Sequence, residues 1–132
     1  MAAVVEAALG VRKHARAPYS RYAVGAAVET GDGTIVSGCN VESSSFGLTI
    51  CAERVALGSA VAHGYRSFKS MAVASEDGAA PCGACRQVIW DLCRDIPIVL
   101  IDGTGKKTTV RSSELLPRPF DDHNLPKFPS KG

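Results

Sequence analysis

Three cysteines constrain this chain more than any other feature of it. Cys51 opens the motif Cys-Ala-Glu-Arg54, and thirty-one residues later Cys82 begins the pair in Pro81-Cys-Gly-Ala-Cys85. Both motifs stand at predicted helix starts. Residues Cys51 to His63 are mostly small or apolar and end at Gly64, a natural C-cap, and Cys82 to Cys93 place Cys85, Ile89 and Cys93 on one helical face. A Cys-x-x-Cys at a helix start has three readings: metal ligation, a redox pair, or plain buried thiols. A third thiol at a second helix N-terminus favours metal, because helix N-termini stabilise thiolates. A fold that uses all three must bring these two helix starts together.

The remaining elements supply such a frame. Val4, Val5, Ala8, Leu9 and Arg12 recur at spacings of three and four, predicting an amphipathic helix over Ala2 to Arg16, with Pro18 marking its end. The apolar runs Ala23 to Glu29 and Thr34 to Glu42 flank Thr30-Gly-Asp-Gly33, an Asp-Gly turn signal, and predict a β-hairpin. Alternation along the second strand puts Ile35, Cys39 and Val41 on one face and Val36, Gly38, Asn40 and Glu42 on the other. Strands follow at Phe68 to Ser75, Pro97 to Asp102 and Thr108 to Arg111, and Ser112 to Leu116 forms a short capped helix. Alternating strands and helices after a hairpin predict an α/β fold built on one mixed sheet covered by helices. The tail from Pro117 carries four of the seven prolines and is expected to be extended unless something holds it down.

Length and charge narrow the function. At 132 residues the chain is expected to be a single domain, 1–132. The net charge of +2 is spread over scattered Lys and Arg, without the basic stripe of a nucleic-acid binder, so a small-molecule substrate fits better than a polymer. No apolar run approaches the roughly 18 residues of a membrane span. Glu6 interrupts the N-terminal apolar stretch and the basic residues follow it, against a secretory signal. An odd set of five cysteines is not a disulfide framework, and the expected location is the reducing cytoplasm.

Glu53 decides what kind of metal site this is. Alone it is an ordinary first-turn glutamate favoured by the helix dipole. Cys-x-Glu combined with Pro-Cys-x-x-Cys is far more specific and matches zinc deaminases, in which three cysteines hold Zn²⁺ and a glutamate that is not a ligand moves protons. Three protein ligands leave a fourth position for water, whereas a structural zinc is closed by four. Over most of its length the chain resembles the small, all-cysteine, homotetrameric cytidine deaminases. The resemblance rests on Ala17-Pro-Tyr-Ser20, Val24-Gly-Ala-Ala27, Gly38-Cys-Asn-Val-Glu42, Cys51-Ala-Glu-Arg54, Pro81-Cys-Gly-Ala-Cys-Arg-Gln87 and Leu115-Leu-Pro117.

The resemblance implies a three-layer αβα fold with a five-stranded mixed sheet and helices on both faces. It implies one zinc per subunit on Cys51, Cys82 and Cys85, with Glu53 as proton shuttle, and cytidine and 2′-deoxycytidine as substrates. Asn40 and Glu42 match ribose-holding positions, and Ala52 offers backbone groups beside the metal. Phe46 and Phe120 match aromatics that reach a neighbouring subunit's pocket, although core packing is an equal reading for Phe46. Tyr22 stands where the family commonly carries Phe beside the nucleoside. Arg54 matches a donor to a ligand sulfur, which would help offset the net negative charge of Zn²⁺ with three thiolates. Cys39 and Cys93 need no chemistry and are expected to be buried small hydrophobes. His14, His63 and His123 have no ligand spacing, and His63 is expected to face a helix C-terminus. The nearest rival is a deaminase of blasticidin-type nucleoside antibiotics. A structural zinc module lacks a fourth ligand at a recognisable spacing, and a thiol-disulfide protein leaves Cys51 and Glu53 without purpose.

Overall fold

A computed structural model of the chain describes residues 1–126. In order the elements are α1 (Ala2–Arg12), β1 (Gly25–Thr30), β2 (Ile35–Cys39), α2 (Ala52–Ala62), β3 (Phe68–Ala74), α3 (Gly83–Cys93), β4 (Pro97–Ile101), β5 (Lys107–Arg111) and α4 (Ser112–Leu115). Single 3₁₀ turns lie at Phe46–Leu48 and Asp122–Asn124. The strands form one sheet in the order β2-β1-β3-β4-β5, parallel between β3 and β4 and antiparallel elsewhere. The parallel pair needs a crossover, and α3 supplies it.

Strand alternation divides the core into two layers. Ala26, Val28, Met71, Val73, Ile98 and Leu100 face α2 and α3, packing with Ala56, Leu57 and Ile89. Their strand neighbours Ala27, Ala72, Ala74, Val99 and Ile101 face α1 through Val4, Val5 and Ala8. The result is the expected three-layer sandwich. Leu9 departs from the predicted apolar face of α1 and is exposed.

Close approach sets the position of α2. A Cβ at Gly38 would lie 2.5 Å from the Ala56 nitrogen and 2.9 Å from Val55 Cγ1, so the helix rests on glycine backbone. Gly38→Ala is expected to push α2 off β2 and to lower the unfolding free energy by about 1–3 kcal/mol, the usual cost of overpacking. Urea denaturation checks this, and a wild-type midpoint would show that the helix can yield freely.

Several boundaries differ from the sequence expectation, for identifiable reasons. The first helix ends at Arg12, not Arg16. Arg12 Nε donates to the Ala23 carbonyl, while Arg16 donates its N–H to the Asn40 carbonyl and accepts from the Glu42 N–H. Those bonds also end β2 at Cys39, so Asn40 and Glu42 lie past the strand. The hairpin turn is as expected, with Gly33 at φ +89° and the Thr30 hydroxyl donating to Asp32. Helix α4 starts as predicted, but Ser112 is not its cap. Its hydroxyl turns to Ile96, and Glu114 accepts the Arg111 N–H.

The tail is held down as far as it is described. Gln87 donates to the Phe120 carbonyl, Trp90 Nε1 to Asp121, and Arg94 to both Asp121 and Asp122. The polar face of α3 therefore secures this segment. The last part of the predicted proline-rich tail, 127–132, lies outside the described residues.

Candidate active site

Cys51 and Cys82 are the N-caps of α2 and α3, each with extended backbone dihedrals. Neither side chain caps its own helix, so both thiols are left to face one another. Their Sγ atoms are 3.9 Å apart, and Cys85, one turn into α3 and buried, completes a set lying within 4.8 Å. Tetrahedral thiolates about 2.3 Å from a zinc ion stand about 3.8 Å from each other, so spacing and donor chemistry both fit Zn²⁺. Burial opposes ionisation of Cys82, but hydrogen bonds from the Cys85 backbone and from the neighbouring thiols outweigh it and hold its pKa below the ordinary thiol value. Cys85 is pushed up, by burial first and then by the charge of Glu53.

Arg54 stands one turn beyond Cys51 and donates through Nη2 to the Cys51 Sγ at 3.5 Å. The Cys51 and Cys85 sulfurs raise its already high pKa, keeping the guanidinium charged. Its buried Nε has no partner among the described residues. A fixed positive charge beside three sulfurs is the arrangement that a negatively charged metal-thiolate centre needs.

Glu53 is only 5% exposed, and burial raises its pKa although Arg54 works the other way. Among the described residues no other side chain donates to its carboxylate. A carboxylate raised in this way takes up a proton more readily than an ordinary glutamate, as a group that moves protons must. It opens into a cleft of about 300 Å³, at the small end of the range for small-molecule sites. Tyr22, Asn40, Glu42, Cys51, Ala52 and Cys82 line the same cleft.

Asn40 and Glu42 reach that cleft through loop pairing rather than strand alternation. Asn40 Oδ1 accepts from the Val24 N–H at 2.9 Å, and its Nδ2 donates to the Tyr22 carbonyl at 2.8 Å. Glu42 accepts the N–H groups of Tyr19 and Ser20 on one oxygen and the Ser20 hydroxyl on the other. Those Ser20 bonds hold its carboxyl below the usual range, so it is an ionised acceptor.

Phe46 and Phe120 do not line the cleft. They are 73% and 59% exposed, which removes core packing as the role of Phe46. Phe46 meets Tyr19 edge-on at 5.7 Å. His63 does face its helix C-terminus, with Nδ1 2.7 Å from the Ser59 carbonyl. Cys39 and Cys93 are half-buried rather than fully buried. Sequence reasoning assigned no role to Ser20, Thr49 or Ser75, which also line the cleft. For Ser75 a signal existed: it follows the carboxyl end of a central strand, where α/β sheets place their ligands. The only other candidate metal cluster among the described residues, Asp121, Asp122 and His123, is engaged by Trp90, Arg94 and the turn it caps.

The family model for the cytidine and deoxycytidylate deaminase zinc-binding region matches residues 2–100. A cytidine deaminase of Sporosarcina psychrophila is 46% identical over 119 residues, covering 86% of each chain. The crystal structure of cytidine deaminase from Burkholderia pseudomallei superposes with a TM-score of 0.87 at 47% identity, over 90% of this chain and 98% of that one. A blasticidin-S deaminase of Bacillus cereus is more distant, 33% identical over 108 residues, with 74% of this chain and 76% of the relative covered.

Proposed function

The chain belongs to the cytidine deaminase family of zinc-binding hydrolases, and from that premise we propose that it is a single-domain enzyme holding one Zn²⁺ on Cys51, Cys82 and Cys85. Its reaction is the hydrolytic deamination of cytidine and 2′-deoxycytidine to uridine and 2′-deoxyuridine, with release of ammonia. The observation that carries this reading is the buried Glu53 carboxylate, to which no other side chain among the described residues donates, in one cleft with Cys51 and Cys82.

Zinc held by Cys51, Cys82 and Cys85 would supply the Lewis acidity that makes a water nucleophilic at neutral pH. Glu53 takes a proton from the attacking water as its oxygen adds to C4 of the base, and passes that proton to N3. The same carboxylate then takes the second proton from that oxygen, now a hydroxyl on C4, and delivers it to the exocyclic nitrogen. The C4–N bond breaks, the C4 carbonyl forms and ammonia leaves, so Glu53 serves as base and then as acid. The N-termini of α2 and α3, together with Arg54, offset the negative charge of the thiolates. Arg54→Ala is expected to weaken zinc binding about 10- to 100-fold, as loss of a partner to a ligand commonly does. Competition with a chromogenic chelator reads this, and unchanged affinity would leave Arg54 without that role.

The opposite end of the cleft suits a sugar. Asn40 retains one acceptor lone pair and one N–H beyond its backbone bonds, and Glu42 retains one lone pair on the oxygen that meets Ser20. Together they offer a hydroxyl both a donor and an acceptor. Among the described residues lining the cleft none is Lys or Arg, while Glu42 and Glu53 are both present, so a phosphorylated substrate meets carboxylates and no compensating cation. Ammonia release measured with cytidine, deoxycytidine, cytosine, CMP and blasticidin S tests the substrate class. Turnover of the two nucleosides, with none of CMP or free cytosine, is expected. Turnover of the antibiotic alone would support the rival reading.

Assembly is part of the proposal. Val41, Phe46, Leu48 and Ile50 are exposed on and around one short loop, beside the apolar face of Tyr19. Such a patch supports a homotetramer in which Phe46 and Phe120 serve a neighbouring subunit's cleft. Light scattering should return four chains per particle. All five cysteines are free, which suits a cytoplasmic enzyme of pyrimidine salvage.

A further inference from the structure

The cleft has two walls drawn from distant parts of the chain. Ser20, Tyr22 and Val24 stand with Asn40 and Glu42 on one side, and Ser75, Ala79, Ala80 and Cys82 on the other. Across them the Tyr22 hydroxyl donates to Asp77 Oδ1 at 2.5 Å. This bond joins segment 20–24 to loop 75–81, and the Ser75 side chain also interacts with the same tyrosine hydroxyl. Hydrogen bonds to a charged acceptor are the stronger kind.

Asp77 is well placed to transmit that bond. The same oxygen accepts the Ala79 N–H at 3.2 Å and the Ser75 hydroxyl at 3.4 Å, and Ser75 Oγ accepts the Gly78 N–H at 3.1 Å. The loop is thereby closed around one carboxylate oxygen, and it runs directly into Pro81 and Cys82. Tyr22 is fixed from behind, its N–H on Ser20 Oγ and its carbonyl on Asn40 Nδ2. One chain of hydrogen bonds thus runs from the proposed sugar-binding asparagine to the loop that leads into the metal arm.

We propose that Asp77 is a positioning residue for nucleoside binding, which holds the Tyr22 ring at the cleft and fixes the facing wall at Ala79 and Ala80. The proposal rests on the deaminase reading. Glu53 and the three thiols are anchored by α2 and α3 rather than by this bridge, so its loss should weaken substrate binding more than it slows the chemical step. Where Phe occupies position 22 the hydroxyl is absent, which makes the bridge a property of this chain's own pairing of Tyr22 with Asp77.

Steady-state kinetics with cytidine on the zinc-loaded full chain test it. Asp77→Ala and Tyr22→Phe should each raise KM about three- to tenfold, the range of one modest hydrogen bond, with kcat within about twofold. The double variant should match Asp77→Ala, because that variant already lacks the bond that Tyr22→Phe removes. Asp77→Asn keeps an acceptor and should bring KM back to within about twofold of wild type. Tyr22→Phe removes a single oxygen and guards against an Asp77→Ala variant that misfolds. Unchanged KM in the singles, or KM effects that multiply in the double variant, would overturn the role of Asp77 while leaving the deaminase reading intact. A wild-type protein without cytidine turnover defeats both.

Discussion

Glu53→Gln is expected to retain zinc and fold normally while losing about 10⁴-fold in kcat, the upper end of what one acid-base group contributes. The upper end applies because a single carboxylate performs both proton transfers. Glutamine matches glutamate in size, so the cleft lined by Ala52, Cys51 and Cys82 keeps its shape, but an amide neither accepts the proton from water nor returns one to the leaving nitrogen. Burial already penalises the charge of Glu53, so neutralising it places no unpaired charge in the interior. Zinc content, melting temperature and kcat measured on one preparation separate these effects. Retained zinc with wild-type kcat would remove Glu53 from the mechanism.

Cys85→Ser is expected to give the second large effect, losing zinc and much of the protein's thermal stability together. Cys85 is fully buried and belongs to the set of three sulfurs within 4.8 Å. Serine preserves most of its volume, so the loss reports the metal more than a cavity. Binding by deprotonated ligands is coupled to folding, and zinc-finger sites are worth about 10–16 kcal/mol, so even a fraction of that exceeds the ordinary effect of a core substitution. Adding zinc should raise the melting temperature of the wild type and leave the variant unmoved. Cys93→Ser is the control: its thiol, pushed up to about 12 by burial, lies outside the cluster and should leave zinc binding intact. A Cys85→Ser protein that holds zinc as the wild type does would dissolve the three-sulfur centre.

Periodicity and turn chemistry made most of the fold legible. The apolar runs that predict β1 and β4 are buried on both faces, against α1 on one side and against α2 and α3 on the other, and the Asp32-Gly33 turn sets the hairpin. The three cysteines and Glu53 were legible because their chemistry depends on spacing next to a helix start, and local sequence encodes that. What escaped was set by contacts between distant segments. The pairing of Arg16 with Asn40 and Glu42 ends both α1 and β2 early, and no periodic pattern carries it. Phe46 was ambiguous because an aromatic in a short loop reads alike whether it faces its own core or another chain, and its exposure decides against the core. The clasp of α3 on Phe120, Asp121 and Asp122 was hidden for the same reason, since side-chain pairs some thirty residues apart leave no local trace.

The central claim is that one zinc on Cys51, Cys82 and Cys85, served by Glu53, deaminates cytidine. Titrating metal-free protein with zinc while following the absorbance of cytidine tests it most directly. Activity should rise from zero and saturate at one zinc per chain, with one ammonia released for each nucleoside consumed. Full activity in the metal-free protein, or no turnover at saturating zinc, would contradict it.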